Sequence, residues 1–413
     1  MISVEEAQQQ VIARIHVLGP ENAPLLGALG RVLAADVVSD IDIAPFDNSA
    51  MDGYAVRAAD VAGASADSPV TLAVLEHIPA GVAPAVAIGP GQASRIMTGA
   101  PMPAGADAVV MVERTRTGEN GGGAGGTAEI LAAVAPGENV RYRGEEVRAG
   151  DAVMLAGEIV GAAGIGLAAS VGHAELSVYR RPRVAIVSTG DELVDVTDKP
   201  GPGKIRNSNS YTLAAQVTLA GGDPHVLGIA RDTAAETRAL LKRASEFDLM
   251  VTTGGVSMGD FDVVKDVLEE IGELDFWKVA MRPGAPQTYG TIDGTPFFGL
   301  PGNPTSGMVG FELFVRPAMR KMAGFTALER PRTVATLAHD VKKKSDRRYF
   351  LRGRLTAGDD GRYSAAISGG QSSALLTALH RGNCLISLPE GLSFVEAGTE
   401  VTCIRLDMEE GTL

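Results

Sequence analysis

Cysteine is nearly absent: Cys384 and Cys403 are the two in 413 residues, and no CxxC spacing occurs. Neither a disulfide framework nor a structural zinc site is therefore expected, and a reducing cytoplasm fits best. Positive charge is also short, with 37 Lys plus Arg against 50 Asp plus Glu and a net charge of −13. That balance argues against a nucleic-acid or anionic-membrane binder, so any anion site has to be local. The uncharged apolar stretch at 159–172 is too short and too rich in glycine to span a bilayer. The opening MISVEEAQQQ lacks the basic start and apolar stretch of a secretory signal. With six histidines and no HExxH, zinc-protease chemistry has no support; Gly255-Val256-Ser257-Met258-Gly259 has the GxSxG spacing, but short motifs of this kind match by chance and a serine-hydrolase reading is not favoured. His77, His173, His225 and His380 lie singly, as surface or satisfied core residues do. No GxxxxGK(S/T) occurs either; Gly201-Pro202-Gly203-Lys204 comes nearest but is followed by Ile205, which sets aside the ordinary kinase and GTPase readings.

What remains is a chain with 45% hydrophobic residues, ample for cored domains, roughly two to four of them at this length. Residues 3–17 place Val4, Ala7, Val11, Ile12 and Ile15 on one side of a helix that Ser3 can cap. From about 46, short apolar runs broken by Gly and Pro, such as VTLAVLEHIPAG and ADAVVMVERT, read as strands, and GENGGGAGG at 118–126 as a loop between two of them. Gly164-x-Gly166-x-x-Ala169 imitates a dinucleotide fingerprint but has no strand directly before it; a small-residue helix packed on a neighbour is expected instead.

Beyond Arg180 the pattern alternates: RVAIVST, HVLGIA and FDLMVTT as strands, with helix-like YTLAAQVTLAGG, TAAETRALLKRASE and FDVVKDVLEEIG between and after them. FWKVAM, QTYGTID and TPFFGL follow as strands and SGMVGFELFVRPAMRKM as a helix. This predicts a doubly wound, mainly parallel sheet. After 327 helices disappear, and TVATLAHDV, FLRGRL, NCLISLP and TEVTCIRL predict a small antiparallel barrel or sandwich. The expected fold class is an α/β and β multidomain chain. A mixed N-terminal domain spans 1–45 with 140–179, a β-rich insertion 46–139, the α/β domain 180–326 and a β-barrel-like domain 327–413.

Open parallel sheets bind ligands outside the carboxyl ends of their strands. Those ends read Ser188-Thr189-Gly190-Asp191-Glu192, Arg231-Asp232, Thr252 to Asp262 (TTGGVSMGDFD) and Gly299-Leu300-Pro301-Gly302-Asn303-Pro304, with Arg206-Asn207-Ser208-Asn209-Ser210 between the first strand and its helix. Gly254, Gly255 and Ser257 suit an anion at a helix start, where free N–H groups converge. Yet Glu192, Asp232 and Asp262 gather on the same edge. Carboxylates coexist with an anion when a hard cation lies between them, and Mg²⁺ combines one or two carboxylates with phosphate oxygens. Helix capping is the structural alternative for Asp260 or Asp262, and Asp260 suits it better. Two cationic features stand apart: Lys278 with Arg282 before Pro283-Gly284, and the cluster Lys342, Lys343, Lys344, Arg347, Arg348 and Arg352. The cluster is either a solvated charged face or a site for a small tetrahedral oxyanion, which arginine binds well.

Taken in order, PFDNSAMDGYAVR (45–57), IMTGAPMPAGADAVVMVE (96–113), VRYRGEEVRAGD (140–151), STGDEL (188–193), TTGGVSMGDFDVVK (252–265) and GLPGNPTS (299–306) resemble the molybdopterin molybdenumtransferases, a family that includes the C-terminal domain of gephyrin. The resemblance implies Mg²⁺-dependent hydrolysis of adenylylated molybdopterin with release of AMP, and insertion of molybdate at the dithiolene. It implies that Asp262 is essential for hydrolysis and that Glu192 and Asp232 assist at the metal; Asp52 and Thr98 match positions of the same cleft. It places Lys278, Arg282, Arg352 and Ser373 on the oxyanion side, and Asn207, Ser208 and Asn303 with the substrate. A cytoplasmic homodimer is implied, with the active site across the subunit interface and a handover from the molybdopterin adenylyltransferase. Where the family commonly reads Lys-Pro-Gly-Lys-Pro, this chain has Arg282-Pro283-Gly284-Ala285-Pro286, so the oxyanion end departs from the pattern. Two alternatives stay open: a molybdopterin adenylyltransferase, whose family shares the α/β domain, and a non-catalytic pterin-binding scaffold.

Overall fold

The computed structural model describes residues 1–118, 122–231, 233–254 and 263–408. Its central six-stranded sheet has the order Asp223–Ala230, Arg183–Thr189, Leu249–Thr253, Thr295–Leu300, Pro286–Ile292, Gly272–Lys278. The first four strands are mutually parallel, and Pro286–Ile292 is antiparallel to both neighbours. Every residue of Leu249–Thr253 is buried, as a strand covered on both faces must be. The alternation of side chains then sorts the core. Val184 and Ile186 face a cluster with Leu213, Val217, Phe311 and Phe314, whereas Ala185 and Val187 face Leu241, Val267 and Leu268.

The first helix, Val4–Arg14, is capped by Ser3, whose Oγ accepts the Glu6 N–H at 3.0 Å. Its apolar seam of Val4, Ala7, Val11 and Ile15 joins the same core as Val184 and Phe311, so this helix completes one cover of the central sheet. The long helical run before residue 323 is interrupted: Pro304–Gly310 and Arg316–Met322 are α-helical, and Phe311–Val315 between them is one π-helical turn.

Residues of the β-rich stretch form a second six-stranded sheet in the order Ala108–Met111, Gly53–Val56, Gln92–Ile96, Val70–Ile78, Thr127–Ile130, Thr115–Thr117. The glycine tract joins its last two strands, which are antiparallel neighbours. Nearer the termini of this stretch, Pro20–Pro24 pairs with Glu175–Tyr179 and Val37–Val38 with Ala152–Met154. The imitated fingerprint lies on helix Ala162–Ser170, where a Cβ on Gly164 would come within 2.9 Å of the Met154 sulfur. Close packing accounts for that glycine.

The C-terminal strands Arg348–Ala357, Tyr363–Ile367, Arg332–Leu337, Glu400–Arg405 and Cys384–Leu388 pair in that order, and the last returns to the first, closing a five-stranded barrel. Contrary to the expectation of strands alone, helix Leu376–Arg381 lies within this part, with Ala378 and Leu379 buried. Six residues are too few to show a helical period in sequence. Cys384 and Cys403 are free thiols inside the barrel. Among the described residues no helix is long and apolar enough to cross a membrane.

Candidate active site

The carboxyl ends of the parallel strands open into a cleft of about 1600 Å³, whose opposite wall comes from the barrel. Backbone geometry shapes its floor. Gly254, directly after Leu249–Thr253, has φ +93°, and a Cβ there would lie 2.6 Å from the Thr189 carbonyl oxygen. Gly190, with φ +140°, lies where a Cβ would collide with the Glu192 carboxylate, so glycine lets that carboxylate fold back over the strand end. The loop is braced from outside, since Lys204 Nζ donates to the Asp191 carbonyl at 2.6 Å and Arg231 Nη1 to the Leu193 carbonyl at 3.1 Å.

Polar side chains knit the strand ends together. Asn209 Nδ2 donates to Thr253 Oγ1 and to the Gly302 carbonyl, both at 2.8 Å, and so bridges three loops. Asn207, buried, accepts from Ser188 Oγ at 3.0 Å and the Ser210 N–H at 3.2 Å, and donates to Ser210 Oγ at 2.9 Å. Its amide is thus committed to holding the helix start, although the residue borders the cleft. Ser208, Glu192 and Asn303 also border it, the last two exposed.

The barrel wall carries the cations. Arg352 is only 1% exposed yet has no carboxylate partner among the described residues; its Nη2 donates to the Ser372 carbonyl at 3.1 Å and its Nε has no hydrogen-bond partner. Burial, and then the nearby Arg282 charge, pull its pKa down to about 10. Two neighbouring guanidinium groups without counter-charge among the described residues make a site that an oxyanion would relieve. Ser373 borders the cleft on the same segment, and its carbonyl accepts the Thr305 N–H at 3.0 Å, docking the barrel on helix Pro304–Gly310. Ala285 is buried at the cleft and adds no charge.

The basic cluster proves to be divided. Lys342, Lys344, Arg347 and Arg352 line the cleft. Lys343 instead is buried, its ammonium bonded to the Pro389 carbonyl and 5.2 Å from the Tyr349 ring centroid, and Arg348 pairs with Glu5 and Glu390. Lys278 ends the edge strand opposite Pro286 and is not among the described residues that line the cleft. Asp52 and Thr98 meet each other elsewhere: Asp52 Oδ1 accepts the Thr98 N–H at 2.7 Å and its Oγ–H at 2.8 Å, exposed on the β-rich sheet and outside the cleft lining. Asp232, Gly255, Ser257, Asp260 and Asp262 lie outside the described residues. Among the described residues no group of three or more His, Cys, Asp or Glu is placed to hold a metal.

Tyr349 and Gln371 border the cleft and were not singled out in the sequence, whereas Asn209, which also borders it, lies in the strand-end stretch 206–210. Gln371 Oε1 accepts the Arg352 N–H at 3.0 Å and its Nε2 donates to the Arg352 carbonyl at 3.2 Å. Local spacing carries no signal for such long-range partners.

Comparison with known proteins agrees with this architecture. Residues 2–172 match the MoeA N-terminal region (domain I and II), 185–321 a probable molybdopterin binding domain, and 334–406 the MoeA C-terminal region (domain IV). The chain is 43% identical over 409 residues to molybdopterin molybdenumtransferase 2 of Mycobacterium tuberculosis H37Rv, covering 97% of this chain and 98% of that one. It is 40% identical over 393 residues to the molybdopterin molybdenumtransferase of Nostoc sp. PCC 7120, covering 94% and 88%. A crystal structure of a molybdopterin biosynthesis moeA protein from Pyrococcus horikoshii superposes with a TM-score of 0.83 at 34% identity, over 99% of this chain and 100% of that one.

Proposed function

Because this chain belongs to the molybdopterin molybdenumtransferase family, we propose that it hydrolyses adenylylated molybdopterin, releases AMP and inserts molybdate at the dithiolene in molybdenum cofactor biosynthesis. The observation that carries this reading is one cleft with two unlike ends. Glycine turns and hydroxyls lie at the strand termini, and Arg282 and Arg352, without a carboxylate partner among the described residues, lie on the facing wall. In the hydrolysis, water attacks one phosphorus of the diphosphate, the bond from that phosphorus to the bridging oxygen breaks and the oxygen stays with the other phosphate, so that AMP leaves and the pterin keeps a monophosphate.

The strand-end side would take the diphosphate, with Gly255 offering a backbone N–H group and Ser257 a hydroxyl, while Gly254, whose own N–H donates to the Leu300 carbonyl at 3.1 Å, shapes the turn beneath them. Asn303 and Ser208 border the same space and would meet polar groups of the substrate. Glu192 is an exposed carboxylate on the cleft, a hard oxygen donor of the kind Mg²⁺ takes, and it would hold the ion together with Asp232 and Asp262. The ion would supply charge neutralisation at the diphosphate. Asp262 orients the attacking water in this reading. Arg282, Arg352 and Ser373 take the molybdate, with Lys278 a more distant contributor. Asp52 and Thr98 reach the cleft from the second subunit of a homodimer. The domain division at 45, 139, 179 and 326, residence in the cytoplasm and delivery by the adenylyltransferase complete the proposal.

The test is a single-turnover reaction of the purified chain with adenylylated molybdopterin, molybdate and Mg²⁺, read as AMP release and pterin-bound molybdenum. Activity that needs Mg²⁺ and is lost in Asp262→Asn supports the assignment; parental rates in that variant remove Asp262 from its role. Adenylylated product formed from molybdopterin and ATP would point to the adenylyltransferase, and no turnover in either assay to a scaffold.

A further inference from the structure

We propose that Tyr349 is the positioning residue for Arg282, fixing that guanidinium beside Arg352 so that the pair receives a tetrahedral oxyanion. The inference rests on the molybdate reading of the cleft. It starts from the backbone. The two-residue strand Met281–Arg282 runs parallel to the start of Arg348–Ala357, with Arg282 in register with Tyr349 and Met281 with Arg348. Register partners project to the same face of a ribbon, so the arginine is delivered onto the ring. Arg282 Nη1 donates to the Tyr349 hydroxyl at 3.3 Å, and the guanidinium carbon lies 5.4 Å from the ring centroid.

The ring is itself immobilised. It is 5% exposed, its oxygen accepts the Lys344 N–H at 2.8 Å, and Ser345 Oγ lies 3.3 Å from that oxygen. Such anchoring matters because Arg282 is exposed and is repelled by the buried Arg352. Left to itself, a long cationic side chain in that field turns to solvent. A phenol oxygen and a π face are neutral groups that attract it without cancelling the charge an oxyanion needs. Lysine at 282 would lack the fork that reaches the phenol and a ligand together. Arg282 and Tyr349 therefore form one device for presenting a guanidinium to the cleft.

The experiment is calorimetric titration of the full chain with molybdate for the parent, Tyr349→Phe, Arg282→Lys and the double variant. Tyr349→Phe keeps the ring and removes the hydroxyl. We expect its molybdate dissociation constant to rise about tenfold in the parent background and about twofold or less in Arg282→Lys. The KM for molybdate should rise by a similar factor, with a smaller change in kcat. An independent readout is the Arg282 Nε–Hε signal in NMR, ordered in the parent and motionally averaged in Tyr349→Phe. Unchanged molybdate binding, equal weakening in both arginine and lysine backgrounds, or an Arg282 signal that stays ordered overturns the inference. A parent chain that releases AMP but shows no Tyr349 effect sinks this inference alone. A parent that binds no molybdate sinks it together with the wider reading.

Discussion

Gly254 occupies φ +93° with the Thr189 carbonyl oxygen 2.6 Å from where a Cβ would stand, and that oxygen belongs to backbone. Gly254→Ala therefore meets both a left-handed conformation that side chains avoid and an obstacle that cannot swing away. We expect it to cost about 1–3 kcal/mol, seen as a lower melting temperature. Gly361→Ala is a control for the first of these alone, since Gly361 shares a positive φ but has open space around it. Equal losses in the two variants would mean that the contact with Thr189 is unimportant.

Asp52 offers a second test at this scale. The Thr98 backbone N–H first, then the Thr98 hydroxyl, hold its carboxyl below the usual carboxylate range. A group depressed in the folded state adds stability that is present above its unfolded pKa and disappears as pH falls through the folded value. Asp52 should accordingly titrate below an ordinary aspartate in carboxyl ¹³C NMR, and Thr98→Ala should move it upward. A Thr98→Ala midpoint equal to the parent's would remove the hydroxyl from the explanation.

At the scale of elements, the helix Val4–Arg14 and the residue after it act as part of the central core. Ile15 is 1% exposed, whereas Ile12 is only partly buried. Ile15→Ala should cost about 2–5 kcal/mol and Ile12→Ala distinctly less, compared by thermal unfolding. Equal shifts would contradict the packing. This helix was legible in the sequence because its apolar period and Ser3 cap are local. The alternating strands and helices beyond Arg180 were legible for the same reason. Helix Leu376–Arg381 was not, being too short to show a period. The pairing of Arg282 with Tyr349 was invisible for a different reason: 67 residues separate them, and only the docking of Met281–Arg282 on the barrel brings them together. Likewise, the run of basic residues at 342–352 reads as one cluster, but alternation along strand and loop sends Lys343 inward and its neighbours to the cleft.

At the scale of the whole molecule, the strand-end loops and the barrel wall meet in one cleft, but Asp52 and Thr98 stand outside its lining. If they serve catalysis, a second copy has to present them, and the defects of two variants become separable. In a two-fold symmetric dimer each site would combine a cleft from one subunit with Asp52 from the other. Asp52→Ala and Arg352→Ala homodimers should each be strongly impaired. A heterodimer of one subunit of each, purified through two different tags, would hold one site with both defects and one with none. Its activity per dimer should therefore be about half the parent's. Were the site built within one chain, every site in the heterodimer would carry a defect, and activity would stay at the level of the impaired homodimers. Recovery thus locates Asp52 in the partner's cleft, and failure to recover returns the Asp52–Thr98 pair to a role within its own sheet.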